Sequence, residues 1–441
     1  MRLKALLLCA AASIPGVASA NELIRAYELA QQNDMQFQAA TAQRDAAIEA
    51  KPQALAAFLP QINGAYMRAR NFQDTTYNSP SFAPASGRTT FTSDGLQATL
   101  NQTVFNWQYF EQLRQSDDQV ALAAASYNAA QQNLVLRVAT AYFNVLSAAD
   151  SLRSSQAEQS ALERQLDQAK QRFDVGLAAV TDVQEAQARH DLTAATLISA
   201  EQNLSNAKEA LTVITGEAAP KLTTLQDEFS LPPPAPADPD SWVASAKQGN
   251  FDLLTAQLQS EISARGIDVA WSKHLPTVGL MAQYSDGKQG GLFGAQQTTR
   301  EVQLQVNVPI FSGGATQSGV RQAKAMHAQY QAMYENQKRV TEQQTRNAYL
   351  GVIAGSQRVK ALKQAVLSNT TALDATETGM QVGTRTSVDV LNAQQLLYAS
   401  QRDYYKSRYD YLLSILQLKS AAGNLTVQDL NVIDNLLVAA P

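Results

Sequence analysis

The chain has 441 residues, a formal net charge of −4, 45% hydrophobic and 17% charged residues, and a single cysteine. That length suits two or three ordinary domains, and the composition excludes a disordered or collagen-like chain. Charge is balanced and no long Lys/Arg run occurs, which argues against a nucleic-acid partner, because phosphate binding needs a concentrated basic face.

In chain order, the first twenty residues read as a secretory signal peptide. Arg2 and Lys4 open it, Leu6 to Val17 is mostly apolar, and Ala18-Ser19-Ala20 suits signal peptidase, so the mature chain is expected to begin at Asn21. Cys9 leaves with the peptide, and the exported chain needs no disulfide. Removing Arg2 and Lys4 from the 35 basic residues leaves 33 against 39 acidic, a net charge of −6. No later window of about 18 residues is free of Gln, Asn or charge, so no membrane helix is expected; the product is soluble, lipid-anchored or a β-barrel.

Leu23 to Phe58 is rich in Ala, Gln and Leu and predicts a helix with a kink at Lys51-Pro52. A weak alternation from Ile62 to Phe72 predicts a strand, and a polar surface loop, Gln73 to Ser93, leads to a second. There Leu96, Ala98, Leu100, Gln102 and Val104 alternate with Gln97, Thr99, Asn101 and Thr103. From Gln108 to Phe173 there is no Gly or Pro. Its apolar positions step by four and three through Leu134, Val138, Ala141, Val145, Ala148 and Leu152, then Ser155, Gln159, Leu162, Leu166, Ala169 and Phe173, a coiled-coil seam. A helix of roughly 65 residues runs about 100 Å, beyond any single globular domain. After a break at Val175 to Thr181, Asp182 to Thr215 gives a helix about half as long.

Leu231-Pro232-Pro233-Pro234-Ala235-Pro236 then reads as an extended linker, after which the design returns. Trp242 to His274 answers the first helix. Val278, Leu280, Ala282 and Tyr284 answer the first strand, and Val302, Leu304, Val306, Val308 and Ile310 answer the second, joined by a loop from Gly287 to Thr299. A long helix from about Gly319 to Thr378 and a break at Val382 to Ser387 complete the repeat. Phe173-Asp174-Val175-Gly176 recurs as Met380-Gln381-Val382-Gly383, Ala141-Tyr142 as Ala348-Tyr349, and Thr215-Gly216 as Ala422-Gly423. Leu59-Pro60 recurs as Leu275-Pro276, and Asn33-Asp34-Met35 finds Gly249-Asn250-Phe251. The expected division is a leader (1–20), a first repeat (21–216), a linker (217–240), a second repeat (241–423) and a tail (424–441).

Each strand is about ten residues, the length a tilted strand needs to cross a bilayer. Four cannot close a barrel, which needs at least about eight, so spanning strands require an oligomer. Phe105, Trp107, Tyr109 and Phe110 after the second strand, and Phe311 after the fourth, stand where an interfacial aromatic girdle would lie. The competing reading is a periplasmic coiled-coil scaffold or adaptor capped by a small soluble sheet. His190, His274 and His327 lack ligand spacing, no Walker, dinucleotide or nucleophile motif occurs, and the glycines of Gly290 to Gly294 sit in a strand-connecting loop. Neither an enzyme nor a metal or cofactor is expected.

Four runs then carry a specific resemblance: Thr140-Ala141-Tyr142-Phe143-Asn144-Val145-Leu146; Arg164-Gln165-Leu166-Asp167-Gln168; Arg172 to Leu177 with Thr181-Asp182-Val183-Gln184; and Val382 to Leu391. Over nearly the whole mature chain the sequence resembles the TolC family of outer-membrane export channels. The resemblance implies an α+β membrane protein of the Gram-negative outer membrane with a periplasmic extension. In it, three chains form a twelve-stranded β-barrel that continues into a long α-helical coiled-coil barrel, with a mixed belt at the waist formed by the linker and the tail. It implies a passive exit duct for drug efflux or type I protein secretion. Its partners are two further copies, outer-membrane lipid, a periplasmic adaptor (membrane fusion) protein and an inner-membrane RND, MFS or ABC transporter.

By the same resemblance the helix breaks form the periplasmic tip. Thr181, Asp182 and Arg385 fall where the family's closing links lie, and Met380 falls where a family representative carries a tyrosine, whose hydrogen bond methionine cannot make. Asp389 and Asn392 stand at two positions, i and i+3, that are both acidic at the family's narrowest point, implying one carboxylate ring here instead of two. Val175, Gly176, Leu177, Val382, Gly383 and Thr384 resemble the surfaces that meet adaptor hairpins.

Overall fold

A computed structural model describes residues 21–76, 87–218, 223–226, 229–231, 233–290 and 294–439. The leader with Cys9, residues 77–86 of the first strand-connecting loop, Gly291 to Phe293 of the second, and Pro232 of the linker lie outside the described residues.

Where one kinked helix is expected, three occur: α1 Glu22–Asn33, α2 Met35–Ile48 and α3 Ala50–Ala56. The first break is at Asp34, whose extended backbone lets Oδ1 accept the Phe37 N–H at 2.7 Å and so cap α2. The second is at Glu49, because Pro52 has no N–H for the Ile48 carbonyl and its ring crowds that oxygen. Strands β1 Gln61–Thr75 and β2 Gly87–Asn106 follow, then α4 Trp107–Asp174, 68 residues without interruption, and α5 Val180–Thr215. Next come β3 Thr223–Leu225, α6 Pro239–Gly249, α7 Phe251–Trp271 and a 3-10 turn, Ser272–His274. The chain continues through β4 Thr277–Gln289, β5 Ala295–Asn307, α8 Ala315–Gln381, α9 Ser387–Ala421, α10 Val427–Asp434 and β6 Leu437–Ala439. No described helix is long and apolar enough to cross a membrane.

The sheet departs from the sequence reading in length. Its strands have 13 to 20 residues instead of ten, taking in Gln73 to Thr75 and Gly87 to Ser93, which the polar composition assigns to loop. Polar side chains on both faces erase the alternation there without weakening the backbone ladder. Val308 and Ile310 lie beyond β5, which ends where Pro309 removes a ladder donor.

The chain forms two compact units, each drawing segments from both repeats. One comprises Ala42–Tyr127 and Asp252–Gln337, the other the described residues of Met1–Thr41, Asn128–Phe251 and Lys338–Pro441. The first unit holds an antiparallel sheet of order β1-β2-β4-β5. Its register sets Ile62 opposite Leu100, Tyr66 opposite Leu96, Leu280 opposite Leu304 and Val278 opposite Val306, so these side chains share one apolar face. Most of that face is exposed in the single chain, with Ile62, Tyr66, Leu96, Leu304 and Val306 all uncovered. The outer edges of β1 and β5 pair with no other strand among the described residues.

The second unit buries the heptad seam. Leu134, Val138, Ala141, Val145, Leu162, Leu166 and Ala169 are buried; Ala148, Leu152 and Gln159 are half-buried and Phe173 is exposed. The small Ala residues admit close helices, and the buried stripe widens to Ser154, Glu158, Ala161 and Gln165. The duplicated breaks meet the ends of the duplicated helices. Gly216 (φ 73°) ends α5 against Asn33, whose Nδ2 donates to the Thr215 carbonyl at 2.8 Å, and Gly423 (φ 75°) follows α9 against Gly249. Asp34 is 97% buried beneath a bidentate pair with Arg137 at 2.8 and 2.9 Å. The linker and tail contribute the two-stranded β3–β6 ladder, to which Arg408 binds through the carbonyls of Leu225 and Gln226.

Candidate functional site: the two helix breaks

Each long helix ends in a glycine-terminated turn. After α4, the Gly176 N–H donates to the Phe173 carbonyl and the Leu177 N–H to the Arg172 carbonyl, with Gly176 at φ 74°. After α8, Gly383 at φ 81° makes the matching turn, and the Gly379 carbonyl accepts the N–H groups of Thr384 (2.8 Å) and Arg385 (3.2 Å) and the Thr384 hydroxyl (3.1 Å). Both turns leave apolar side chains in solvent: Val175 is 68% exposed, Leu177 77% and Val382 70%.

The two turns carry their arginines differently. In the second, a Cβ on Gly379 would stand 2.7 Å from the Arg385 Cγ, so the arginine stem lies across a bare Cα. In the first, the equivalent position is Arg172 and the residue equivalent to Arg385 is Ala178. Sequence reading passes over Gly379, because a glycine inside a helix ordinarily signals only reduced propensity.

The starts of α5 and α9 hold the carboxylates. The Asp182 Oδ2 accepts the Ala179 N–H at 3.2 Å, and its Oδ1 accepts the Ser387 hydroxyl at 2.9 Å. Asp389 closes a capping box with Thr386: its Oδ2 accepts the Thr386 N–H and hydroxyl, each at 2.9 Å, and the Thr386 hydroxyl accepts the Asp389 N–H. The Thr386 backbone bond first, then its side-chain bond, and the charge of Arg385 hold the Asp389 carboxyl below the usual carboxylate range. No ion pair joins Asp182 to Arg385 within one chain, among the described residues. Thr181 is exposed and Met380 half-buried. Asn392 is not an open position in the chain: its Oδ1 accepts Arg189 Nη2 at 2.9 Å, while Arg189 Nη1 donates to Gln395 Oε1 at 2.7 Å. Ser387 and Arg189 were not among the residues expected here. Arg189 follows Asp182 by seven, two helical turns along one face, a spacing that could have suggested it.

The aromatics belong to the other unit. Phe58 meets Tyr109 and Phe110 edge-on at ring separations of 6.1 and 4.9 Å, and Trp107 lies 5.9 Å from Phe110. Phe105 lies on β2, and Phe311 is 87% exposed. Phe58, just past the helix that leads into the first strand pair, joins this set without having been singled out from the sequence, and Trp271, at the end of the helix before the second pair, meets His274 at a ring separation of 6.5 Å.

The family model described as outer membrane efflux protein matches residues 26–217 and 242–424, two segments that coincide with the two repeats. The chain is 36% identical over 436 residues to the outer membrane protein TolC of Escherichia coli K12, covering 96% of this chain and 86% of that protein. It is 29% identical to the alkaline protease secretion protein AprF of Pseudomonas aeruginosa, covering 93% and 86%. Among solved structures, the Campylobacter jejuni CmeC outer membrane channel superposes with a TM-score of 0.78 at 17% identity, covering 94% of this chain and 89% of that one. The α+β membrane-channel fold with its tandem duplication, and a place in the Gram-negative outer membrane with a helical periplasmic extension, follow from these likenesses and the elements above. With a family match over most of the chain and a relative above 30% identity along nearly its whole length, the chain belongs to the outer membrane efflux protein family, the exit ducts of that membrane.

Proposed function

We propose that three copies of this chain close a twelve-stranded barrel and form a passive duct, gated at its periplasmic tip, through which an inner-membrane transporter expels drugs or a secreted protein. One observation carries the reading: a four-stranded sheet with an exposed apolar face and two edges, β1 and β5, that have no partner among the described residues. Unpaired edges are not tolerated in lipid, so the strands must find partners, and three sets of four exceed the minimum of about eight for closure. An SDS-resistant or detergent-stable trimer that conducts in planar bilayers is expected. A monodisperse monomer that still inserts would overturn it. The reading as a soluble scaffold is set aside by the family and by the apolar face, and predicts recovery in a detergent-free periplasmic extract.

Cargo follows the relatives by likeness: efflux from the family description, protein secretion from AprF. Phe105, Trp107, Tyr109, Phe110 and Phe311 would stand at the lipid–water boundary. Thr181, Asp182, Met380, Arg385, Asp389 and Asn392 are assigned to the gate. Arg385 is free to reach a neighbouring chain, since its own chain offers it no ion pair among the described residues. The exposed turns Val175-Gly176-Leu177 and Val382-Gly383-Thr384 would receive the hairpins of a periplasmic adaptor that links the duct to an RND, MFS or ABC transporter. Replacing Gly176 and Gly383 with bulky residues should abolish efflux with trimers intact. Undiminished drug resistance in that double variant would refute the docking assignment.

A further inference from the structure

We infer that Arg189 is a second latch of the tip, a fork on α5 that holds α9 through Asn392 and Gln395. The inference rests on the reading of the tip as the point of closure, and it adds a residue that this reading does not contain.

Two polar contacts tie the starts of these parallel helices. At the tip itself the Ser387 hydroxyl donates to Asp182 at 2.9 Å. Seven residues along α5, about 10 Å farther from the tip, Arg189 sends Nη1 to Gln395 and Nη2 to Asn392 at 2.7 and 2.9 Å. Asn392 and Gln395 are spaced i and i+3, so both acceptors lie on one face of α9, matched to the two arms of a planar guanidinium. Between the polar contacts, Ala186 of α5 and Leu391 of α9 are buried together with Leu162, Leu166 and Ala169 of α4, with Val183 packed against them. The fork therefore closes the upper end of a packed seam.

Chemistry at position 392 follows. A carboxylate there would face Arg189 as an ion pair, whereas the amide accepts the same N–H without neutralising the guanidinium. Arg189 has no carboxylate partner among the described residues; the neighbouring Asp191 instead accepts from Gln187 and lies 3.1 Å from His190. A latch between a cation and neutral acceptors depends little on ionic strength, because screening acts on charge pairs. At a tip where the Met380 side chain cannot make the hydrogen bond of a tyrosine, the Arg189 fork supplies a tether between the helix pairs.

The test is single-channel recording of the full-length trimer in planar bilayers without a pump. Arg189→Ala should raise the ratio of open to closed channel by roughly threefold per chain, the loss expected of exposed charge-assisted contacts, and by about thirtyfold where three chains open together. Arg189→Lys, which keeps the charge and loses the fork, should open nearly as far. In an Asn392→Ala/Gln395→Ala background, Arg189→Ala should add nothing. Asn392→Asp should hold the channel closed more firmly at low salt and lose that advantage at 1 M salt. If Arg189→Ala leaves gating unchanged while Ser387→Ala or Arg385→Ser opens the channel, the latch is refuted and the tip stands. If none of these variants alters gating, the tip reading itself has failed. An Arg189→Ala effect that persists undiminished in the Asn392/Gln395 background would overturn the fork in favour of a bare charge effect.

Discussion

Helices α5 and α9 begin and end in opposite surroundings. Their C-terminal ends are buried: Leu211, Leu416 and Leu418 are covered, Asn33 binds the Thr215 carbonyl, Asn250 binds the Ala421 carbonyl, and Gln132 binds those of Gly423 and Leu425. Their N-terminal ends share one small buried cluster, Ala186 and Leu391 with residues of α4, and otherwise rest on side-chain contacts partly or wholly open to water at Asp182, Ser387, Arg189 and Asp389. Close packing makes the first end expensive to deform, while exposed hydrogen bonds exchange with water at little cost. A pair of helices anchored at one end and weakly latched at the other can move its free end while the rest stays folded.

Glycine substitution separates the two ends most sharply. All four turn glycines have positive φ, but an added Cβ meets different neighbours. At Gly423 it would stand 2.0 Å from the Gly249 carbonyl oxygen, backbone against backbone, so Gly423→Ala should cost about 4 kcal/mol or abolish the folded trimer. At Gly216 it meets the Asn33 side chain at 2.8 Å, and about 2 kcal/mol is expected. At Gly176 and Gly383 an added Cβ meets nothing within 4 Å beyond the adjoining residues, among the described residues, leaving the backbone cost of about 1 kcal/mol. Urea midpoints of the four Ala variants check the order. Equal midpoints would erase the distinction between the ends.

Asp34→Ala comes next. It removes the cap of α2 and leaves Arg137, three-quarters buried, with the Asn133 amide as its one remaining partner among the described residues, a loss of about 3 kcal/mol. Burial alone would raise the Asp34 carboxyl, but Arg137 and the Phe37 N–H hold it below the usual carboxylate range. The wild-type protein should therefore lose this contribution as pH falls below about 4, and the variant should not.

Acid should also act oppositely on two further carboxylates. Burial, against the Leu23 and Ile24 N–H groups and with the charge of Glu22, pushes Asp434 up from its ordinary 3.8 to about 6. A raised carboxyl favours the fold when protonated, so its contribution is complete below about pH 4 and is lost as pH rises through about 6. Asp389 at the tip is depressed, so its contribution is present above its ordinary value and lost as pH falls. Between pH 7.5 and 5 the thermal midpoint should rise through Asp434, and Asp434→Asn should flatten that slope. Tip gating should stay constant over this range and loosen only at stronger acidity.

Legibility in the sequence follows the same division between local and distant causes. The long helices are visible because Gly and Pro are absent over some 65 residues, and their seam because Leu, Val and Ala recur by sevens. Asp34 was hidden, since aspartate is compatible with a helix, although its repeat partner Asn250 stands at the matching break between α6 and α7. The sheet was read too short because its polar ends lose the alternation that marks a strand. Nothing local announces the β3–β6 ladder, whose three-residue strands come from the linker and the tail. Arg189 is announced only by its spacing of seven from Asp182, since its acceptors are more than 200 residues away. The residues assigned to the tip came from resemblance alone, and their contacts were not legible: Asp182 binds Ser387 in its own chain, and Asp389 serves its own helix first.

The smallest expected effect belongs to Arg385, and it is the one that tests the proposed closure of the tip. Its stem is seated over Gly379 and its own chain supplies no ion pair among the described residues, so any closing link must come from a neighbouring copy. An exposed pair of that kind is worth about 0.2–1 kcal/mol, and three acting on one opening sum to about 0.6–3 kcal/mol. Arg385→Ser should thus raise single-channel conductance without disturbing the urea midpoint, because nothing in the buried end depends on it. Gly379→Ala should give a similar, weaker rise by displacing the stem while leaving the charge in place. If Gly379→Ala alters stability as much as Gly216→Ala and leaves conductance unchanged, the glycine serves the turn alone. If instead both tip variants raise conductance at an unchanged midpoint, the free end of the helix pair gates while its buried end stays fixed.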